Sequence, residues 1–401
     1  MKLSEIQEIS DTQRQALDKQ ELGLTRQLLP ELPMLQSHAL VISGIRRCGK
    51  STLLRQYVQS LNRPYFYYNF DDIRLSSFDH NDYSLLDKVI EKADVNVLFF
   101  DEIQSADKWE LFIRQKLDEG YQVAITGSNA SLLSRELGSR LTGRHLTKEL
   151  FPFSYEEFCS FFNLDVSHNS FLEYLEKGGF PEFLKSDNTD ILTQLQSDIL
   201  YRDIAIRFGI RDTASLKQLF VYLISNCTQA FSPSKLTGVT GVKSPTTVLE
   251  YISYLESSYL IHLLPCFSWS VKAQSLAPKK IYIADSGLIK TGSISFSKNY
   301  GALLENFVFS VIRRHIKDIY YFNSKNGRKC DFIVNTQSNP SCIQVCWELN
   351  SENKDREING LLEAMDFFKL NEGLILTFNT EDLILINGKK INVTPAWRYK
   401  L

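Results

Sequence analysis

The run Gly44-Ile45-Arg46-Arg47-Cys48-Gly49-Lys50-Ser51 matches the phosphate-loop pattern G-x-x-x-x-G-K-[ST] in full. The chemistry such a run can do is to hold a triphosphate. Gly44 and Gly49 let backbone N–H groups turn inward around phosphate oxygens, and a helix starting just after adds positive potential. Lys50 should reach the β- and γ-phosphates, Ser51 should ligate Mg²⁺, and Thr52 should sit near the α-phosphate. Arg46 and Arg47 have two open readings, contact with phosphate or support of the loop. A short pattern can match by accident, so a partner motif matters.

That partner is Phe99-Phe100-Asp101-Glu102, whose Asp101 lies 51 residues after Lys50. An apolar strand ending in Asp delivers a carboxylate to Mg²⁺. Glu102 follows directly and can accept the proton of an attacking water. The bland reading is a strand that ends in two surface acids. Ile125-Thr126-Gly127-Ser128-Asn129 closes the next strand, where a polar side chain can touch the γ-phosphate or orient the water. Ser128 is the first choice there and Asn129 the second, with a plain turn as the alternative. A guanidinium near the γ-phosphate can be worth about 10³–10⁵ in rate. Arg140 and Arg144 are candidates, with Arg135 beside them, acting within the chain or from a neighbouring subunit. A solvated basic loop is the other reading.

The elements needed to position these groups are legible. Ala39-Leu40-Val41-Ile42 is an apolar strand running into Gly44, and 51–58 has helical spacing. Strands follow at 65–70, 95–100 and 122–126, with helices at 83–93 and 106–119 between them. Strands alternating with helices imply a parallel sheet covered on both faces. A strand should lie between the phosphate-loop strand and the one ending at Asp101, and 65–70 is the natural candidate. After about residue 150 the sequence turns helical, at 154–162, 170–184 and 191–208, broken by Gly178-Gly179-Phe180-Pro181. Helices at 216–226, 232–237 and 246–257, then strands at 261–264 and 280–284, follow the order of a winged helix. The last hundred residues read as a long helix at 302–315, strands at 319–322, 331–334, 341–347, 374–377 and 383–386, and a helix at 356–368.

Composition bounds the rest. Hydrophobic residues at 43% and charged residues at 23% exclude a disordered, collagenous or coiled-coil chain. At roughly 100–200 residues per domain, 401 residues predict two to four domains. Lys+Arg 45 against Asp+Glu 47 leaves a formal charge of −2, so any hold on nucleic acid must come from a local patch. No apolar run reaches the roughly 18 residues that span a bilayer, and the acidic-polar start has no secretory signal. The seven cysteines are scattered without a C-x-x-C and away from the histidines. That argues against a disulfide framework or zinc site and suits a reducing cytoplasm.

These residues carry a resemblance. Gly44 to Leu54, Phe100-Asp101-Glu102-Ile103-Gln104, Ile125-Thr126-Gly127-Ser128 and Leu141-Thr142-Gly143-Arg144 resemble the motifs of a large prokaryotic group of AAA-like P-loop ATPases. So do Leu150-Phe151-Pro152-Phe153-Ser154-Tyr155-Glu156-Glu157-Phe158 and Gly178-Gly179-Phe180-Pro181-Glu182. The C-terminal part resembles the domain of unknown function that accompanies this ATPase, a winged helix followed by a restriction-endonuclease-like fold. The resemblance implies ATP binding and leaves the biological role open.

An active nuclease of that fold needs a helix Glu, a strand Asp and then (D/E)-x-K, with the acids on Mg²⁺ and the lysine supporting water. Glu305 and Asp331 stand at the first two positions. Gln344-Val345-Cys346 stands where Glu-x-Lys is needed, and a cysteine cannot replace an ammonium. The domain therefore reads as a degenerate nuclease used for binding or regulation. The winged helix has Lys235 and Lys243 near its second and third helices. Lys272, Lys279 and Lys280 could charge a wing, a modest set for DNA.

The expectation is an α/β chain: a P-loop NTPase parallel sheet with a helical extension, a winged-helix domain and a C-terminal restriction-endonuclease-like α/β domain. The boundaries fall at 1–150, 151–210, 211–295 and 296–401. ATP and Mg²⁺ are the expected ligands, with hydrolysis driving movement of the C-terminal parts through 151–210. DNA or a partner protein is an open partner, as is a second copy of the chain; a membrane is not expected. The alternatives are a DNA-processing protein gated by ATP and a nucleotide-dependent switch with little turnover.

Overall fold

Five parallel strands make the N-terminal sheet. β1 (Ala39–Ser43), β2 (Phe66–Asn69), β3 (Val97–Asp101), β4 (Gln122–Gly127) and β5 (His145–Glu149) lie in the order β2-β3-β4-β1-β5. β1 and β3 are buried along their whole length, as strands covered on both faces must be. The computed structural model describes residues 1–33, 35–128, 141, 143–293 and 299–401. The chain forms two compact units, one of Met1–Phe151 with Ser257–Tyr259, the other of Pro152–Glu256 with Leu260–Leu401.

In the first unit the helices are α1 (Leu3–Lys19), α2 (Lys50–Leu61), α3 (Tyr83–Ala93) and α4 (Trp109–Asp118). One core joins Ile6 and Ile9 of α1, Leu86 and Ile90 of α3, and Phe112 and Ile113 of α4 to the strand residues Val41, Phe100 and Ile125. The strand between β1 and β3 is β4, not 65–70. The aromatic strand β2 lies outside β3, where Phe66 and Phe70 pack against Phe100. Periodicity reports that a strand is buried but not which strand it pairs with. The edge strand β5 was not expected from the sequence. His145-Leu146-Thr147-Lys148-Glu149 is half exposed and has no apolar run to announce it.

The second unit begins with α5 (Tyr155–Phe162), α6 (His168–Lys177), α7 (Pro181–Ser186) and α8 (Asp190–Asp198), which runs into π-helical turns at Ile199–Ile206. Gly178 and Gly179 break this run for a reason that lies far along the chain. Gly179 N–H donates to Asp285 Oδ2 at 2.7 Å, and a Cβ on Gly178 would sit 2.0 Å from Asp285 Oδ1. Next come α9 (Thr213–Ser225), β6 (Ala230–Phe231), α10 (Pro233–Thr240), α11 (Pro245–Ser257), β7 (Ile261–Leu264), α12 (Val271–Leu276) and β8 (Lys279–Ile283). The strands form a small antiparallel sheet, β6-β8-β7. α13 (Ser286–Gly292) and α14 (Tyr300–His315) lead into a six-stranded mixed sheet of order β13-β14-β12-β11-β10-β9. Its strands are β9 (Ile319–Asn323), β10 (Lys329–Val334), β11 (Ser341–Val345), β12 (Glu372–Thr377), β13 (Asp382–Ile386) and β14 (Lys389–Pro395), with α15 (Lys354–Phe367) between β11 and β12. Leu361, Ala364 and Met365 of α15 pack on Ile333, Ile375 and Ile391 of the sheet. β6, β14 and the helices α12 and α13 were not expected from the sequence. Among the described residues, no helix is long and apolar enough to cross a membrane.

Candidate functional site

β1, β3 and β4 are parallel, so the residues after Ser43, at Asp101 and after Gly127 share one edge of the sheet. That edge carries most of the residues singled out above. Gly44 leaves β1 at φ 142°, and a Cβ there would lie 2.1 Å from the Leu150 carbonyl oxygen. Gly49 has φ 102° and caps α2, and Arg47 adopts a left-handed φ of 63°. These turns are what an inward-facing loop of N–H groups requires. Lys50, the first residue of α2, is buried, and its ammonium donates to the Gly44 and Ile45 carbonyls at 3.1 Å each. Ser51 and Thr52 follow on the first turn of α2, where a helix N-terminus favours anions.

Asp101 is buried at the end of β3. Its carboxylate accepts hydrogen bonds from the Thr126 hydroxyl, from Tyr67 OH at 3.1 Å and from Ser51. Burial, and then the neighbouring Glu102 carboxylate, push its pKa up against those hydrogen bonds. A hydroxyl and a carboxylate joined this way are hard oxygen donors and suit Mg²⁺, which binds through few protein ligands and takes the rest from phosphate and water.

Glu102 turns the chain through a left-handed conformation, φ 47°. Its N–H donates to Thr126 Oγ1 at 3.0 Å. Its Oε2 accepts from Gln104 Nε2 and, at 3.2 Å, from Ser128 Oγ. Its Oε1 lies 3.9 Å from Lys50 Nζ. Lys50, Ser51, Asp101, Glu102 and Ser128 are thus one connected group. Arg144 is not part of it. Its carbonyl accepts from the N–H of Ala39 at the entry of β1, and its guanidinium donates to Asp118 at 2.6 Å. That is the opposite edge of the parallel sheet from the loop. Arg135, Arg140, Asn129 and Thr142 lie outside the described residues.

Several supporting residues gave no sequence signal. Arg26 is buried, donating to Cys48 O of the loop at 2.8 Å and to Phe151 O at 2.7 Å. Gln56 of α2 holds the same segment through the Leu22 and Leu24 carbonyls and the Arg26 N–H. The Cys48 thiol donates to Leu150 O at 3.3 Å. A lone arginine in a polar connecting stretch carries no pattern; only its burial reveals its role. Thr126 was legible as part of the strand end, and its bonds to both acids were not.

An AAA domain model matches residues 36–159, and models of two domains of unknown function, DUF8612 and DUF4143, match 168–294 and 300–399. An uncharacterized protein of Methanocaldococcus jannaschii is 34% identical over 403 residues, covering 92% of this chain and 90% of that one. One of Haemophilus influenzae is 31% identical over 380 residues, covering 89% and 93%. The chain belongs to their family of AAA-domain proteins. The Thermotoga maritima RuvB Holliday junction branch migration motor is 19% identical and covers 56% of this chain and 81% of its own, with a TM-score of 0.28. A point mutant of that motor gives 17%, 64% and 89%, with a TM-score of 0.30.

The second unit of this AAA-domain protein holds a cluster of its own. Lys280 Nζ donates to Glu305 Oε1 and Asp331 Oδ1, both at 2.8 Å. Tyr282 OH donates to Glu305 at 2.7 Å, and Val345 N–H donates to Asp331 Oδ2 at 3.0 Å. Gln344 accepts from the Asp331 N–H at 3.2 Å and donates to Glu357 at 2.5 Å. Burial opposes the Lys280 charge, but the Asp331 and Glu305 carboxylates outweigh it and hold the ammonium above the usual lysine range. Burial and then Asp331 push Glu305 up to about 7 against Lys280 and Tyr282. The group floors a cleft of about 740 Å³ rimmed by Arg328, Lys329 and Arg356. Lys280 therefore does not serve an exposed wing, as the sequence allowed. Lys235, Lys243 and Lys272 are exposed and Lys279 is half-buried.

Proposed function

We propose that the N-terminal unit binds Mg·ATP and hydrolyses it, and that the second unit is the output arm. The reading rests on one observation: Lys50, Ser51, Asp101, Glu102 and Ser128 converge on one edge of the parallel sheet, beside the left-handed loop. The loop N–H groups and Lys50 hold the phosphates. Lys50 exchanges two carbonyl partners for phosphate oxygens. Ser51 and Asp101 would hold Mg²⁺, which when bound would offset the negative charge of the phosphates. Glu102 takes a proton from water as the water oxygen bonds to Pγ. The bridging Pγ–O bond breaks with its electron pair on ADP, and the proton then passes to phosphate or solvent. Ser128 fixes Glu102 while it does so.

In this reading the chain divides at 150, 210 and 295, and 151–210 carries the motion. Residues 211–295 act as a winged helix and 296–401 as a nuclease-like fold that no longer cleaves. The absence of Glu-x-Lys at 344–346 supports that last point. So does the Lys280 ammonium, which stands between the two acids that would otherwise share a metal ion.

Calorimetry with ATP and a phosphate-release assay test the proposal. Lys50→Ala should lose nucleotide binding. Glu102→Gln should keep ATP binding and lose turnover by about 10²–10⁴-fold. Wild-type turnover in Glu102→Gln would remove the base from Glu102, and absence of ATP uptake by the folded wild type would end the reading.

A further inference from the structure

Gln104 lies two residues beyond Glu102 in the one-turn 3-10 segment Ile103–Ser105. That turn brings its side chain back toward the acid. Gln104 Nε2 donates to Glu102 Oε2 and lies 3.4 Å from Ser128 Oγ. A carboxylate only accepts, so the amide nitrogen is the atom turned to Glu102 Oε2, which leaves the amide oxygen free to accept from another group. That oxygen, Gln104 Oε1, is buried and has no hydrogen-bond partner among the described residues. Buried acceptors are nearly always satisfied, and an unsatisfied one in a site calls for a donor that arrives with the ligand. Glu102 shows the complementary pattern. Its Oε2 already takes two donors, which leaves Oε1, the oxygen on the Lys50 side, for a third group.

We propose that Gln104 is a catalytic residue of this site, holding Glu102 through its amide nitrogen and the attacking water through its amide oxygen. This rests on the hydrolysis reading above. A water has two protons to donate and needs a lone pair free for phosphorus. One O–H points at Glu102 Oε1 and is the one transferred; the other is accepted by Gln104 Oε1 and stays. With both protons directed, a lone pair faces Pγ. The bond to Pγ forms, the bridging bond breaks toward ADP, and Glu102 carries the proton. Gln104 exchanges none and acts by orientation alone.

The test compares Gln104→Leu and Gln104→Ala with wild type, each checked for folding by circular dichroism. The readouts are phosphate release, affinity for a non-hydrolysable ATP analogue, and affinity for ADP with beryllium fluoride or with aluminium fluoride. The aluminium complex carries an in-line water and the beryllium complex mimics the ground state. Both variants should lose about 100-fold in kcat while holding the analogue and the beryllium complex within about threefold of wild type. The aluminium complex should weaken at least about tenfold, because only it needs the oriented water. Turnover within threefold of wild type overturns the proposal. So does an equal loss for all three ligands, or failure of both variants to fold, since each would mean structural support only. A wild type that binds ATP and releases no phosphate removes the hydrolysis reading itself, and the wild-type assay reports that separately.

Discussion

The Nζ of Lys280 on β8 lies 2.8 Å from Oε1 of Glu305 on α14, and the same ammonium lies 2.8 Å from Oδ1 of Asp331. One buried cation thus serves a buried acid, Asp331, and a half-buried one, Glu305. Removing it leaves an uncompensated pair of carboxylates, a change that typically costs about 3–5 kcal/mol. Lys280→Met should therefore lower the denaturation midpoint sharply. The double variant Lys280→Met with Glu305→Gln should recover part of the loss, because only one acid then remains charged. Chemical denaturation of the three proteins checks this, and equal midpoints for wild type and Lys280→Met would contradict it.

Arg26 links Cys48 O of the phosphate loop to Phe151 O, the last residue before the second unit begins. Arg26→Ala would strand two buried carbonyls, each costing about 1–3 kcal/mol. A lower melting temperature and an ATP affinity reduced by about tenfold or more are expected. Arg26→Lys should restore only part of both, since an ammonium lacks the planar fork that spans two acceptors. Calorimetry and thermal melts on the two variants decide it.

Gly44 and Gly327 separate close contact from conformational strain. Both have positive φ, but a Cβ on Gly44 would meet Leu150 O at 2.1 Å, whereas one on Gly327 would meet nothing within 4 Å. Gly327→Ala should cost about 1 kcal/mol and leave nucleotide binding intact. Gly44→Ala should cost more than that and lose most of the ATP affinity. Similar effects from the two would mean that strain alone governs the loop.

His262 on β7 is pushed down to about 3 by burial and then by Arg313. The unfolded chain takes up that proton near pH 6.5, so it binds more protons than the folded chain between pH 3 and 6.5. Stability from this residue is complete above about pH 6.5 and falls as the pH is lowered, by about 2 kcal/mol at pH 5. Asp285 and Glu305, raised to about 6 and about 7, pull the other way over a similar range. Comparing His262→Leu with wild type isolates the histidine term. From pH 7 to pH 5 the urea midpoint of His262→Leu should fall less, or rise more, than that of wild type, and identical pH slopes would refute the assignment.

The proposed phosphate site was legible in the chain because its parts are local. Gly44 to Thr52 are contiguous, and the loop, its helix and the carboxylates of Asp101 and Glu102 follow from side-chain type and short spacing. What joins distant stretches was not legible. The placement of β4 rather than β2 beside β1, the hold of Arg26 on Phe151, and the meeting of Lys280 with Glu305 and Asp331 all join stretches 25 or more residues apart. Periodicity records that a residue is buried, not which partner it is buried against. Asp285 shows the same limit: nothing near it in the chain announces that it fills the space left by Gly178 and Gly179. Local propensity and motif spacing determined most of the elements and the residues of the proposed phosphate site. Packing decided which polar side chains were brought together, because burial makes an unpaired charge too costly to leave and the fold supplies a partner from wherever the topology allows.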